Sequence, residues 1–73
     1  MIREKVLGPE HIYTALSLSN LAGLLEDQGN LAGALPLYER ALAIYEKVLG
    51  PGHPETNRVR AALLRARSRR DEG

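Results

Sequence analysis

The sequence contains no cysteine, no tryptophan and no phenylalanine, and its aromatic residues are three tyrosines. Without cysteine it has no disulfide, and its two histidines, His11 and His53, have no carboxylate or cysteine at metal-ligand spacing, so a loop or helix-cap role is favoured over a metal site. A domain of this size buries only about 60% of the surface that its unfolded chain exposes, so its core is thin. We therefore expect the chain to gain stability by association.

Long apolar runs are also missing. No segment approaches the roughly eighteen uninterrupted apolar residues that suggest a membrane span, and the N-terminus has no apolar signal-peptide segment. The default expectation is a cytoplasmic protein that does not contact a membrane. The serines lack a histidine or acid in a nucleophile pattern, and no phosphate-binding glycine motif is present, so neither an enzyme activity nor a cofactor is predicted.

One segment occurs twice. Residues 4–11 read EKVLGPEH and residues 46–53 read EKVLGPGH, an offset of 42 residues. In each copy the glycine can adopt the left-handed conformation that ends a helix, and the proline after it cannot continue one. A fixed period of this length indicates a stacked repeat architecture in which each copy ends a helix.

Apolar residues recur at three- and four-residue spacing, which predicts helices over residues 12–28, 31–49 and 54–70. In the first of these, the spacing places Leu18, Leu21 and Leu25 on one helical face. Gly29 and Asn30 interrupt the pattern, and Asn30 is a good N-cap for the second helix. Residues 1–7 resemble the end of that second helix, so they predict the remnant of a preceding one. The fold class is all-α, with residues 1–73 forming a single unit.

The helical pattern resembles the tetratricopeptide repeat. Its signature of W-x2-L-G-x2-Y on one helix and A-x3-F on the next matches Leu18-x2-Leu21-Ala22-x2-Leu25 followed by Ala34-x3-Tyr38. The strings NLAxLL, QGxL, ALPLYERALAI and EKVLGPxHP make the chain similar to the longer repeats of the kinesin light chain family. The resemblance covers nearly the whole chain and implies about one and a half repeats of a superhelix of antiparallel helical hairpins. Small residues, namely Ala22, Ala34 and Ala41, are expected to let the helices approach closely.

The resemblance also implies a function. In that family the first helices of successive hairpins line a concave groove that receives peptide segments, often through asparagines. The groove-facing residues on the first helix would be Leu16, Ser19, Asn20, Gly23 and Asp27. Ala62 stands where the asparagine would recur, so this chain cannot build a ladder of asparagines. Asn20 therefore either contacts a peptide or is a polar residue on a solvated face, and Gly23 suggests the close approach of a neighbour or ligand.

Six arginines and no acid occupy residues 58–70. The repeat offset places Arg60 and Arg67 at the positions of Leu18 and Leu25, which should receive the second helix of the same hairpin. Their charges favour a solvated capping helix over residues 54–70. An acidic protein partner and a nucleic acid are the alternatives, and the lack of aromatic residues among the arginines disfavours the nucleic acid.

The sequence thus predicts a non-catalytic scaffold that binds a peptide or helix of another protein. The alternative is a structural unit that forms a homo-oligomer by hairpin stacking or helix exchange, because one and a half repeats leave apolar edges uncovered. The predicted self-association edge consists of Ile2, Val6 and Leu7.

Overall fold

A computed structural model describes residues 11–72, which form three helices without a strand. They are α1 (Ile12–Asp27), α2 (Leu31–Val48) and α3 (Pro54–Glu72). The all-α prediction is confirmed. The remnant helix predicted for residues 1–7 lies outside the described residues.

The two repeated histidines stand at the starts of first helices. His11 is the N-cap of α1, and its Nδ1 accepts a hydrogen bond from the Tyr13 backbone N–H at 3.1 Å. His53 precedes α3, and its Nδ1 accepts from the Glu55 N–H at 3.1 Å. Each imidazole therefore satisfies a backbone donor that the first turn of a helix leaves without a partner.

The turns between helices depend on glycine. Gly29 and Gly50 have φ angles of 83° and 93°, which side chains with a Cβ rarely adopt. Asn30 begins α2 as predicted, because its Oδ1 accepts from the Gly33 N–H at 2.9 Å. These short turns make consecutive helices antiparallel neighbours.

Helix α2 packs against both α1 and α3. Ala22, Ala34 and Ala41 are fully buried, as the small-residue pattern predicts, and so let the backbones approach closely. The other buried apolar residues are Ala15, Leu35, Tyr38, Ile44, Tyr45, Val59, Leu63 and Ala66. The structure measures 37 × 28 × 13 Å.

Leu21 is more exposed than its spacing predicts. Its spacing groups it with Leu18 and Leu25, yet it is 46% exposed, whereas those two pack against the core. A first helix has two apolar sides, one for its own second helix and one for the helix before it. Leu21 belongs to the second side. The apolar spacing alone assigns all these leucines to one face and so does not distinguish the two sides.

A fully buried hydroxyl anchors the start of α3. Thr56 donates a hydrogen bond from Oγ1 to the Tyr45 carbonyl at 3.3 Å.

Among the helices that the structure describes, none is long and apolar enough to cross a membrane.

Candidate partner-binding surface

The five residues predicted to face a groove occupy one side of α1, next to the side that packs on α2. Leu16, Asn20 and Asp27 are exposed, whereas Ser19 and Gly23 are half-buried. The hydroxyl of Ser19 donates to the Leu16 carbonyl of its own helix at 3.0 Å. Asn20 therefore carries the exposed side-chain amide at the centre of this set. The binding role of the five residues stays a prediction.

Gly23 lies over the side chain of Tyr38. A Cβ at Gly23 would be 3.7 Å from the Tyr38 hydroxyl oxygen, an ordinary van der Waals distance. The neighbour that approaches this glycine closely therefore belongs to the same chain, and it leaves room for alanine.

Arginines take the same side of α3. The repeat offset of 42 residues places Arg58, Arg65 and Arg69 at the positions that Leu16, Gly23 and Asp27 occupy on α1. Since α1 and α3 are the first helices of successive hairpins, these two sets line one side of the molecule. We call this side the first-helix surface.

A buried carboxylate joins the two helices beneath that surface. Glu26 on α1 is 4% exposed, and its Oε1 accepts from the Tyr38 hydroxyl at 2.9 Å and from Arg65 Nη2 at 3.2 Å. Its Oε2 accepts from Arg65 Nε at 3.3 Å and from Arg69 Nη1 at 2.9 Å. Arg65 thus binds both carboxylate oxygens, the fork arrangement that fixes a guanidinium most firmly.

These hydrogen bonds set the charges of the cluster. The Arg65 guanidinium lowers the pKa of Glu26 below its usual value, against the opposing effect of burial. Burial, followed by the hydrogen bond to Glu26, raises the pKa of Tyr38. Near neutral pH the Glu26 carboxylate therefore faces two guanidinium groups and a neutral phenol, and the charge of Asp27 on the same helix also acts on Tyr38.

Both guanidinium groups are accessible to solvent. The side chains of Arg65 and Arg69 are 59% and 52% exposed, although Glu26 beneath them is almost fully buried. A guanidinium has five N–H donors, and the hydrogen bonds to Glu26 use two from Arg65 and one from Arg69. The cluster can therefore donate to a further acceptor from the solvent side.

The other arginines have different neighbours. Arg60 and Arg67 turn toward α2, where they pair with Glu46 at 2.9 Å and Glu39 at 3.5 Å. Arg58 pairs with Glu55 of its own helix at 2.8 Å. The six arginines thus form no uniform basic strip. The capping role of α3 stays a prediction.

The Glu26 cluster was not predicted from the sequence. An acidic residue near a helix end is ordinarily solvated, and the two arginines follow Glu26 by 39 and 43 residues. The available signal was the repeat offset, which assigns Arg65 and Arg69 to predicted groove positions. Within residues 11–72, no group of three or more histidine or acidic side chains could hold a metal ion.

Comparison with known proteins agrees with the geometry. The family model of the tetratricopeptide repeat matches residues 14–55, which is one period of the internal repeat. The chain is also 38% identical over 77 residues to Protein KINESIN LIGHT CHAIN-RELATED 2 of Arabidopsis thaliana. That alignment covers 96% of this chain and 12% of the relative, so the chain spans about an eighth of the relative's length. The paired helices, their buried alanines and the matched period show that this chain belongs to the tetratricopeptide repeat family, with repeats like those of the kinesin light chains.

Proposed function

We propose that the chain is a protein-interaction scaffold whose first-helix surface binds an acidic peptide segment of a partner. The proposal depends on Arg65 and Arg69, the two arginines that contact Glu26. Two guanidinium groups are held in place from below by one carboxylate, while half of each side chain remains open to solvent. A partner carboxylate would gain charge-assisted hydrogen bonds without having to order both arginines first.

The α1 side of the surface suits the rest of a peptide. The exposed Asn20 amide offers both a donor and an acceptor to a peptide backbone, and Leu16 offers apolar contact. Gly23 adds no side chain between Asn20 and the Tyr38 hydroxyl, so the surface is shallow there. This arrangement performs recognition alone, and we propose no catalytic step and no cofactor.

The experiment compares two neighbouring arginines. Arg69→Gln removes a guanidinium that contacts Glu26, and Arg70→Gln removes the same charge from a residue that pairs with the exposed Asp71 at 3.5 Å. The probe is a fluorescent peptide with two adjacent glutamates, with its glutamine counterpart as the peptide control. Fluorescence anisotropy should show that the acidic peptide binds more tightly and that Arg69→Gln weakens binding about threefold to tenfold while Arg70→Gln changes it little. Equal binding of both peptides, or equal losses in both variants, contradicts the proposal.

A nucleic-acid partner is less well supported. Arg60 and Arg67 are engaged by acids of α2, so they are not arranged to neutralise successive phosphates. If single-stranded DNA competed fully with the acidic peptide, the binding would reflect general attraction between opposite charges. That result would contradict specific recognition of an acidic peptide.

The second candidate function is self-association. Leu21 and Leu24 on α1 are 46% and 57% exposed, which leaves two large apolar side chains in solvent on neighbouring turns. The edge predicted at Ile2, Val6 and Leu7 lies outside the described residues and stays a prediction.

A further inference from the structure

The two arginines that contact Glu26 use different parts of their guanidinium groups. Arg65 donates to Glu26 from Nε at 3.3 Å and from Nη2 at 3.2 Å. These two nitrogens form the guanidinium edge that matches both oxygens of a carboxylate, so Glu26 occupies that edge of Arg65. Arg69 donates to Glu26 only from Nη1, at 2.9 Å. The Nε–Nη2 edge of Arg69 therefore takes no part in the contact with Glu26.

That edge of Arg69 is open among the described residues. Within residues 11–72, the hydrogen bonds and ion pairs of Arg69 are limited to its contact with Glu26. The Arg69 side chain is 52% exposed, whereas the side chain of Glu26 is 5% exposed. A half-exposed guanidinium is thus held from one nitrogen by a buried carboxylate. Its carboxylate-matching edge is left for an acceptor from outside the chain.

The charges around Arg69 favour recognition by geometry over attraction by net charge. Glu26 and the adjacent Asp27 carry as many negative charges as the two guanidinium groups carry positive ones. Burial raises the pKa of Tyr38 most, followed by Glu26, and Asp27 adds to the rise, so Asp27 acts on the same cluster. An anion that binds here must gain most of its affinity from short, directed hydrogen bonds.

We infer that Arg69 is the specificity-determining residue of the first-helix surface, and that its Nε–Nη2 edge binds both oxygens of one aspartate or glutamate side chain of the partner. This inference rests on the proposed function and specifies the group that is recognised. Arg65 is a positioning residue, because it fixes Glu26, and Glu26 in turn holds Nη1 of Arg69. Holding that guanidinium reduces the entropy that the partner must remove on binding.

The first test separates the shape of the guanidinium from its charge. Arg69→Lys keeps the positive charge but replaces the planar edge with a single ammonium group. In the anisotropy assay with the glutamate peptide, Arg69→Lys should weaken binding about threefold to tenfold, as Arg69→Gln does. Circular dichroism should show equal helix content in these variants and the wild-type chain.

Arg70→Lys is the matched control, because it makes the same chemical change at the next residue, which pairs with the exposed Asp71. Its binding should stay within about twofold of the wild-type chain. Equal losses in Arg69→Lys and Arg70→Lys would overturn the assignment of the edge to Arg69.

The second test observes the edge directly by NMR of the isotope-labelled chain. The Nε–H of Arg69 should shift downfield as the glutamate peptide is added, because it becomes a donor to a carboxylate. The Nε–H of Arg65 already donates to Glu26 and should shift less. A larger shift at Arg65 than at Arg69 would overturn the inference.

The outcomes separate this inference from the proposed function. If Arg69→Gln weakens binding but Arg69→Lys binds like the wild-type chain, positive charge alone is sufficient. That result overturns the role of the edge and leaves the acidic-peptide surface standing. If Arg69→Gln also binds like the wild-type chain, the proposed function fails and the inference fails with it.

Discussion

The Tyr38 hydroxyl on α2 donates a 2.9 Å hydrogen bond to the carboxylate of Glu26 on α1. The same carboxylate holds Arg65 and Arg69 of α3, so one buried acid contacts all three helices. Glu26 is therefore both a structural connection and the anchor of the candidate binding surface.

Replacing Glu26 with glutamine should destabilise the protein. Glu26→Gln keeps an acceptor for Tyr38 but removes the negative charge that holds two arginines. Because both arginines are about half exposed, water compensates part of the loss, and we expect a decrease of about 1–2 kcal/mol in the free energy of unfolding. Urea unfolding followed by circular dichroism measures it.

Asp27→Asn is the matched control, because it makes the same chemical change at the next residue, which is exposed. Its effect should stay within about 0.5 kcal/mol. Equal losses in the two variants would show that the Glu26 cluster contributes nothing specific.

Acid should remove the contribution of Glu26. Its pKa in the folded protein lies below the usual value of 4.5, so folding favours the ionised form. The stabilisation is fully present above the unfolded-state pKa and is lost as the pH falls through the folded-state pKa. The difference in unfolding free energy between the wild-type chain and Glu26→Gln should therefore shrink below pH 4.5. A difference that stays constant into strong acid would contradict this assignment.

Three glycines should respond differently to alanine. Gly23→Ala should stabilise the protein by up to about 1 kcal/mol, since the new methyl group meets the Tyr38 hydroxyl at an ordinary distance and alanine favours the helix. Gly33→Ala should not gain this stability, because its Cβ would lie 2.8 Å from Nδ2 of Asn30 and would displace the side chain that caps α2. Gly29→Ala should destabilise by about 1 kcal/mol, because its φ of 83° is strained for alanine. Thermal unfolding of the three variants gives this order, and a destabilising Gly23→Ala would contradict the described packing.

The cap at His53 should tolerate asparagine better than alanine. His53→Ala removes the acceptor of the Glu55 N–H and should lower the free energy of unfolding by about 1 kcal/mol. His53→Asn supplies another cap acceptor and should recover most of that loss. If the two variants unfold at the same temperature, the imidazole is not acting as a cap.

The helices and their close packing could be predicted from sequence because both depend on local patterns. Apolar spacing predicts three helices, Asn30 indicates the start of α2, and the positions of Ala22, Ala34 and Ala41 predict close approach. Each of these signals lies within a few residues of the feature that it specifies.

The Glu26 cluster and the exposure of Leu21 depend on distant neighbours. A helical pattern shows that Leu21 lies on an apolar side, but which helix covers that side is decided by the rest of the stack. Similarly, the local sequence predicts that Glu26 is a solvated acid, because only the folded α3 brings Arg65 and Arg69 beside it. Comparing positions one repeat apart would have identified both arginines, since the offset relates them to Gly23 and Asp27.

The central claim is that the arginines on Glu26 make the first-helix surface a binding site for acidic peptides. The most direct measurement is an NMR titration of the isotope-labelled chain with the glutamate peptide, observing backbone amides and arginine Nε–H groups. We predict saturable shifts at Asn20, Gly23, Arg65 and Arg69, and none on the outer side of α2 at Arg40 or Lys47. Shifts confined to that outer side, or no saturable shift at millimolar peptide, would contradict the claim.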